Sequence, residues 1–141
     1  MRRLSALLRP SRTVHAHCDL PCGVYDPAQA RIEAESIKAI QERYGDAENK
    51  KSANETADQY QQRALDIKEQ RADLVKHHLW VLWTDYFKPN HLEQYPQLHD
   101  LFWKATKAAG DSKRSVDPAQ GQQLLDSIAE IDTIFWETKK A

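Results

Sequence analysis

The stretch that decides the fold is YQQRALDIKEQRADLVKHHLWVLWTDYF, residues 60–87. Residues spaced alternately by four and three lie on one face of an α-helix. Here that series is Tyr60, Ala64, Ile67, Arg71, Leu74, His78, Val81 and Asp85. A second apolar series lies beside it and consists of Val75, Leu79, Leu82 and Tyr86. We therefore predict one long amphipathic helix from about Glu55 to Phe87, which Pro89 ends.

The stretch before this helix predicts another. Asp26-Pro27-Ala28-Gln29 combines a capping Asp, a Pro suited to the first helical position and a Gln that can reach back. One face of the helix that follows carries Glu33, Ile37, Ile40 and Tyr44. Residues 45–56, GDAENKKSANET, are polar and without periodicity, so we predict a loop there.

Two more helices are predicted after Pro89. One runs from about Pro96 to Ala109, with Gly110 as its stop, and buries Leu98, Leu101, Phe102 and Ala105. The other starts at a second Asp-Pro-Ala-Gln, residues 117–120, runs to about Thr138, and buries Leu124, Ile128, Ile131 and Phe135. The predicted fold is all-α, an antiparallel up-and-down four-helix bundle.

Composition excludes several classes of protein. The length of 141 residues fits one domain, and two cysteines are too few for a disulfide scaffold. A net charge of −1 argues against a nucleic-acid partner. No apolar run approaches the roughly 20 residues of a membrane span, so no membrane partner is expected.

Charged residues interrupt the apolar faces at Glu33 and Arg71. A buried lone charge is costly, and these two carry opposite signs, so each could supply the other's partner. Alternatively, both lie at the edge of their faces with their charged ends in water. The aromatic residues crowd into positions 80–103, and Trp80 and Trp83 cannot both face inward beside Leu79 and Leu82. We therefore expect a subunit interface there.

The first sixteen residues, MRRLSALLRPSRTVHA, differ from the rest in carrying four arginines and no acid. Without them the chain would have a net charge of about −5. The Arg and Ser content fits an organelle transit peptide, a pro-segment removed in place fits equally, and a retained tail is a third reading. Secretion fits least, because the apolar stretch is short.

Both cysteines lie in HCDLPC, residues 17–22. A Cys18–Cys22 disulfide would close a tight ring. Cleavage after Ala16 would instead give His17 a free amine. That amine, the Cys18 amide and the thiolates of Cys18 and Cys22 can form a square N2S2 plane, which nickel(II) and copper(II) favour. The His17 imidazole could approach as a fifth ligand. These few residues alone do not decide between a metal site and the other readings.

The longer stretch HCDLPCGVYDPAQARIEAES, residues 17–36, resembles the start of the nickel-dependent superoxide dismutase family. The resemblance continues through IKEQRA (67–72), KHH (76–78), VLW-x-DYFKP (81–89), YPQLH (95–99), DPA-x-GQ (117–122) and IFWETKKA (134–141). It covers nearly all of residues 17–141. The leader also resembles the short pro-segments of that family.

The resemblance implies a superoxide dismutase that converts two superoxide anions to oxygen and hydrogen peroxide by Ni(III)/Ni(II) cycling. It implies a leader, residues 1–16, removed by a processing protease, a nickel hook at 17–25 and a bundle at 26–141. One nickel ion per subunit and a homohexamer are expected. We expect a cytoplasmic protein, or an organellar one if the leader is a transit peptide.

The resemblance also assigns residues. His17, Cys18 and Cys22 match the metal ligands, and Tyr25, counted with them as catalytic, frames the open face together with Asp19. Glu33 and Arg71 match the pair that orients the imidazole. The resemblance further implies a cis Leu20–Pro21 peptide and places the segment Asp85, Tyr86 and Lys88 near the site. Because the substrate would be an anion and the processed chain is net acidic, local positive charge must steer it, and Lys88 and Arg71 are the candidates.

Two departures from the family concern the longer 45–56 loop and the unusual Trp80 and Trp103. They bear on subunit contacts rather than on the metal site. A rival hypothesis is a helical-bundle interaction protein whose hook binds a metal without turnover, and another is a purely structural bundle.

Overall fold

A computed structural model of the chain describes residues 23–140, which are helical with no strand among them. The helices are α1 Ala28–Tyr44, α2 Ala47–Lys50, α3 Ala57–Val81, α4 Pro89–Gln94, α5 Leu98–Arg114 and α6 Pro118–Lys140. A π-helical turn, Leu82–Tyr86, continues α3. The predicted all-α class is confirmed. The predictions for the leader, the metal ligands and the Leu20–Pro21 peptide concern residues outside the described range.

Local capping chemistry starts the long helices. Asp26 Oδ1 accepts from the backbone N–H of Ala28 at 2.8 Å, and Asp117 Oδ1 accepts from that of Ala119 at 2.9 Å. The repeated Asp-Pro-Ala is therefore shared capping, as predicted. At the start of α3, Thr56 and Gln59 form a capping box.

The four long helices form a closed ring, in which each packs against the next along the chain and α6 packs against α1. Gln61 near the start of α3 donates to the carbonyl of Tyr44 at the end of α1. Lys68, also in the first half of α3, donates to the carbonyl of Ser112 near the end of α5. Sequence neighbours therefore run antiparallel, which confirms the up-and-down bundle.

The buried face of α3 differs from the first series predicted above. Its buried residues are Ala64, Lys68, Ala72, Val75 and Leu79, so the second series contributes Val75 and Leu79 to the core, while the first contributes Ala64 and otherwise lies at the edge. Ile67, Leu74 and Asp85 are exposed. Two apolar series lie side by side on α3, and only the positions of α1 and α5 determine which one is buried. In α6 the predicted Leu124, Ile128, Ile131 and Phe135 are buried.

Several helix boundaries also differ from the prediction. The 45–56 loop contains α2, and α3 gives way to a π-helical turn that ends at Tyr86. Pro89 occupies the first turn of α4, a short helix that the sequence pattern did not predict. Gly110 does not stop α5, which continues to Arg114. A Cβ on Gly110 would meet the end of the Lys76 side chain at an ordinary contact distance of 3.4 Å, so the helix passes through this residue without a steric need for glycine.

A buried lysine holds the far end of the bundle together. Lys68 is 1% exposed, and its ammonium donates to the carbonyls of Ser112, Lys113 and Ser115 at 2.5, 2.6 and 2.9 Å. These carbonyls belong to the last turn of α5 and the residue after it, where helical acceptors lack partners. Burial lowers the pKa of Lys68, and nearby Glu69 opposes this. Lys68 therefore fixes the connection between α5 and α6.

The tryptophans between residues 80 and 103 fall into a packed and an exposed group. Trp83 packs against Phe102, with ring centroids 5.1 Å apart, whereas Trp80 and Trp103 are 52% and 56% exposed. The prediction that not all of them face the core is confirmed for this chain. That they form a subunit interface stays a prediction.

Candidate functional site

The described chain begins at Gly23, inside the predicted hook, residues 17–25, and directly after Cys22. The predicted ligands His17, Cys18 and Cys22, and the neighbouring Asp19, lie outside the described residues. What the structure shows is the surface around Gly23 and Tyr25, the described part of the hook. Among residues 23–140 no group of three or more His, Cys, Asp or Glu side chains could hold a metal ion. In this part of the chain nothing competes with the hook as a metal site.

The donors in residues 17–22 fit nickel by their chemistry. Two thiols and an imidazole are soft to intermediate ligands, which suit transition metals. Side-chain oxygen donors, which calcium and magnesium favour, are limited to Asp19 in this stretch. The side chains present therefore suit a transition metal such as nickel.

The backbone turns at Gly23, directly after Cys22. Gly23 has φ +69°, a left-handed conformation that residues with a Cβ rarely adopt. Its carbonyl accepts a hydrogen bond from Lys139 Nζ at 3.1 Å. Lys139 belongs to the last turn of α6, so the two ends of the described chain meet here.

Two tyrosines form the wall beside this turn. The rings of Tyr25 and Tyr86 lie 5.7 Å apart, and Tyr86 packs on Phe135 at 4.4 Å. Thr138 Oγ1 donates its proton to the carbonyl of Phe135, so Tyr86 is the donor in its 2.7 Å bond with Thr138. The phenol proton of Tyr86 is thus directed toward α6.

A cavity of about 420 Å³ lies at this position. Its lining consists of Gly23, Tyr25, Asp85, Tyr86, Lys88, His91 and Lys139. Two lysines face one aspartate, so the charged side chains of the lining sum to +1. Clefts lined by an excess of one charge concentrate ions of the opposite sign. The cavity can therefore attract a small anion, although the chain as a whole is slightly acidic.

His91 is held as a neutral acceptor in this lining. Its Nδ1 accepts from the backbone N–H of Lys88 at 3.2 Å. Burial lowers the pKa of His91, and the charge of Lys88 lowers it further. Near neutral pH His91 therefore adds no positive charge to the cavity.

Glu33 and Arg71 form the predicted pair. Arg71 Nη1 donates to Glu33 Oε2 at 2.9 Å, with the arginine side chain 42% and the glutamate side chain 14% exposed. This answers the question that the sequence left open, because the two charges do supply each other's partner. Neither of them is deeply buried, as expected for residues at the edge of the apolar faces.

The Glu33–Arg71 pair and the tyrosine cavity are separate. Arg71 lies on α3 and precedes Tyr86, in the π-helical turn that continues it, by fifteen residues, and neither Glu33 nor Arg71 lines the cavity. The predicted contact of His17 with Glu33 concerns a residue outside the described range and stays a prediction. Asp85, Tyr86 and Lys88 lie with Tyr25, as the resemblance implied.

Three residues of this site were not singled out in the sequence: Thr138, Lys139 and His91. Lys139 and Thr138 are among the letters IFWETKKA that carry the resemblance, but they lie more than a hundred residues from Gly23. A basic residue in the last turn of a helix is ordinary, because it complements the helix dipole. Only the folded bundle shows that Lys139 reaches Gly23, ahead of α1.

Comparison with known proteins gives concordant results. The family described as nickel-containing superoxide dismutase matches residues 12–139. The superoxide dismutase (Ni) of Streptomyces seoulensis is 63% identical over 138 residues, covering 98% of this chain and 99% of the relative. The superoxide dismutase (Ni) of Streptomyces coelicolor is 61% identical over 138 residues and covers the same fractions of the two chains.

Solved structures agree with this. A nickel-containing superoxide dismutase after partial X-ray-induced reduction matches with a TM-score of 0.79 and 62% identity, covering 89% of this chain and 100% of that one. A native nickel superoxide dismutase matches with a TM-score of 0.78 and 60% identity, at the same shares. No helix in the described range is long and apolar enough to cross a membrane.

Proposed function

The chain belongs to the nickel-containing superoxide dismutase family, and from this premise we propose that its active site is the hook, residues 17–25. The enzyme converts two superoxide anions and two protons to oxygen and hydrogen peroxide. The observation that carries the assignment to the hook is the anion-attracting cavity at Gly23 and Tyr25. It lies at Gly23, the residue directly after Cys22, and residues 17–22 hold both cysteines.

We propose that His17, Cys18 and Cys22 hold the nickel ion, one per subunit. His17 supplies its amine and imidazole, and Cys18 and Cys22 supply thiolates, with the Cys18 amide as the remaining donor. Bound nickel supplies a one-electron couple between Ni(II) and Ni(III). Asp19 would frame the open side of the site together with Tyr25.

Removal of residues 1–16 is part of this proposal, because it gives His17 its free amine. The curated relatives align with 98% of this chain, whereas the solved chains align over their full length with only 89% of it. Residues 17–141 make up the same 89% of the sequence. This agreement supports a mature enzyme that starts at His17 and a protease that produces it.

The described side chains act on the substrate in this scheme. Lys88 and Lys139 raise the local concentration of superoxide by their charge. Tyr25 narrows the entrance and limits larger anions. The proton of the Tyr86 hydroxyl is committed to Thr138, so Tyr86 serves as a wall rather than as the proton donor.

The Glu33–Arg71 pair would orient the His17 imidazole. A ligand imidazole is commonly held by a hydrogen bond from its second nitrogen to a carboxylate, and this bond fixes its tautomer and direction. Glu33 has a second carboxylate oxygen besides the one that Arg71 occupies. Arg71 in turn fixes the carboxylate, so the pair can act as a unit.

Assembly into a homohexamer is also proposed. Large apolar side chains remain exposed on the single chain, among them Ile67, Leu74, Trp80, Trp103 and Trp136. Exposed apolar surface of this kind is typical of subunit contacts. Light scattering on the processed protein should give about six times the mass of one chain, and a monomer would reject this part.

We propose a cytoplasmic location, with an organelle as the alternative if the Arg-rich leader is a transit peptide. Fractionation of the source cells, with sequencing of the first residue of the recovered protein, distinguishes the two. Recovery from an organelle would reject the cytoplasmic location. A first residue other than His17 would reject the proposed processing site.

The test of the hook compares the processed chain with the chain that retains residues 1–16. Superoxide decay and bound nickel are measured for both, with and without added nickel. We expect activity and about one nickel per chain only after processing. Full activity of the unprocessed chain would exclude the His17 amine as a ligand. Nickel bound without turnover in the processed chain would favour a metal-binding bundle.

A further inference from the structure

Three residues near the C-terminal end of α6 contact Tyr86 in the wall of the site. Phe135 packs under Tyr86, Thr138 accepts from the Tyr86 hydroxyl, and Lys139 lies above both rings. The Lys139 ammonium is 5.2 Å from the Tyr86 ring centre and 5.5 Å from that of Phe135, within the range of a cation–π contact.

The same ammonium bonds to the backbone directly after Cys22. Lys139 Nζ donates to the Gly23 carbonyl at 3.1 Å, and Gly23 is the residue after Cys22. An ammonium has three donors, so this bond is compatible with its position over the rings. Gly23 is left-handed, and such a residue is free to rotate unless a contact restrains it. Among the contacts described for Gly23, this is the one made by a side chain.

We propose that Lys139 is a positioning residue that fixes the direction in which the hook leaves the bundle. This inference rests on the proposed function of residues 17–22. By holding the Gly23 peptide against the Tyr25–Tyr86 wall, Lys139 restricts where the adjoining Cys22 can lie. A metal site made from a short chain end needs such a support, because a loosely held ligand lowers affinity.

The matched control for Lys139 is Lys140. It is the next residue on α6, exposed and of the same charge. Lys139→Met and Lys140→Met remove equal charge from the same helix end, so they change the helix dipole interaction and the net charge alike. Lys139→Arg keeps a charge and donors, and it should restore most of the lost support.

The experiment uses the processed, nickel-loaded protein. Release of nickel to a chelator is timed, and hydrogen exchange of the Val24 and Tyr25 amides is followed by mass spectrometry. For Lys139→Met we expect nickel release about three- to tenfold faster, since a charge-assisted bond at an exposed position contributes modestly. The two amides should exchange faster by a similar factor. Lys140→Met should match the unsubstituted protein in both measurements.

Two outcomes would overturn the inference. One is Lys139→Met and Lys140→Met behaving alike in nickel release and in amide exchange. The other is Lys139→Arg giving no recovery while Lys139→Met shows the loss. Should the unsubstituted processed protein bind no nickel, the proposed function fails instead. Amide exchange at Val24 and Tyr25 still tests the Lys139 contact in that case.

Discussion

Substitution of Glu33 or of Arg71 should destabilise the protein, and the two losses of stability should differ. Arg71 is 42% exposed, whereas Glu33 is only 14% exposed. Arg71→Met leaves a carboxylate that water reaches poorly, while Glu33→Gln leaves a guanidinium that water still solvates. The larger loss of stability should therefore follow removal of the arginine.

The size of these losses lies between two known limits. Exposed ion pairs contribute about 0.2–1 kcal/mol, and breaking a buried pair costs about 3–5 kcal/mol. For a partly buried pair at 2.9 Å we expect about 2 kcal/mol for Arg71→Met and about 1 kcal/mol for Glu33→Gln. The double variant should show a coupling of about 1 kcal/mol.

Urea denaturation at one fixed protein concentration measures these values, since assembly makes stability concentration-dependent. The Arg31–Glu35 pair on α1 is the control, with a distance of 2.7 Å and both side chains about half exposed. Its coupling should stay below about 0.5 kcal/mol. Equal losses in the two single variants, or a Glu33–Arg71 coupling no larger than that of the control, would refute the reasoning from exposure.

The same variants test the role in catalysis. If the pair orients His17, superoxide decay per bound nickel should fall in Glu33→Gln and in Arg71→Met, while nickel content stays near one per chain. The control variants at Arg31 and Glu35 should keep full turnover. Unchanged turnover in both site variants would remove the pair from the mechanism and leave it a structural contact.

Three further predictions concern other positions. Gly121→Ala should lower the free energy of unfolding, measured in urea, by about 1–3 kcal/mol, because the new Cβ would lie 2.5 Å from Gln41 Oε1 and 2.9 Å from the backbone of α1. Gly45→Ala, whose Cβ would have nothing within 4 Å, should change stability little. Equal effects of the two variants would contradict this. Tyr25→Phe should alter azide affinity and leave the redox potential in place, and the reverse result would argue against a role in anion access. The pKa of His91 is lower in the folded protein, so on acidification the unfolded chain binds a proton at this residue first. The free energy of unfolding should therefore fall as pH drops below about 6.5, and His91→Gln should make this fall less steep. The same pH dependence in His91→Gln as in the unsubstituted protein would contradict this.

Local sequence patterns were sufficient for most of the bundle. The Asp-Pro-Ala starts at residues 26 and 117 were correct because a cap involves residues two or three positions apart. The family assignment also followed from the sequence, through the unbroken stretch from His17 to Ser36. Gly110 was misjudged because a glycine stops a helix only when its backbone turns left-handed, and among residues 23–140 the glycine with a positive φ is Gly23.

The sequence by itself determined the four long helices, the residues proposed as nickel donors and the opposite charges of Glu33 and Arg71. Only the tertiary structure decided which face of α3 is buried, that this pair forms at 2.9 Å, and that Lys139 reaches Gly23 across 116 residues. The physical reason is range along the chain. Caps and periodicity act within a turn or two of a helix, whereas the surroundings of the hook are built from residues that only packing of α6 against α1 brings together.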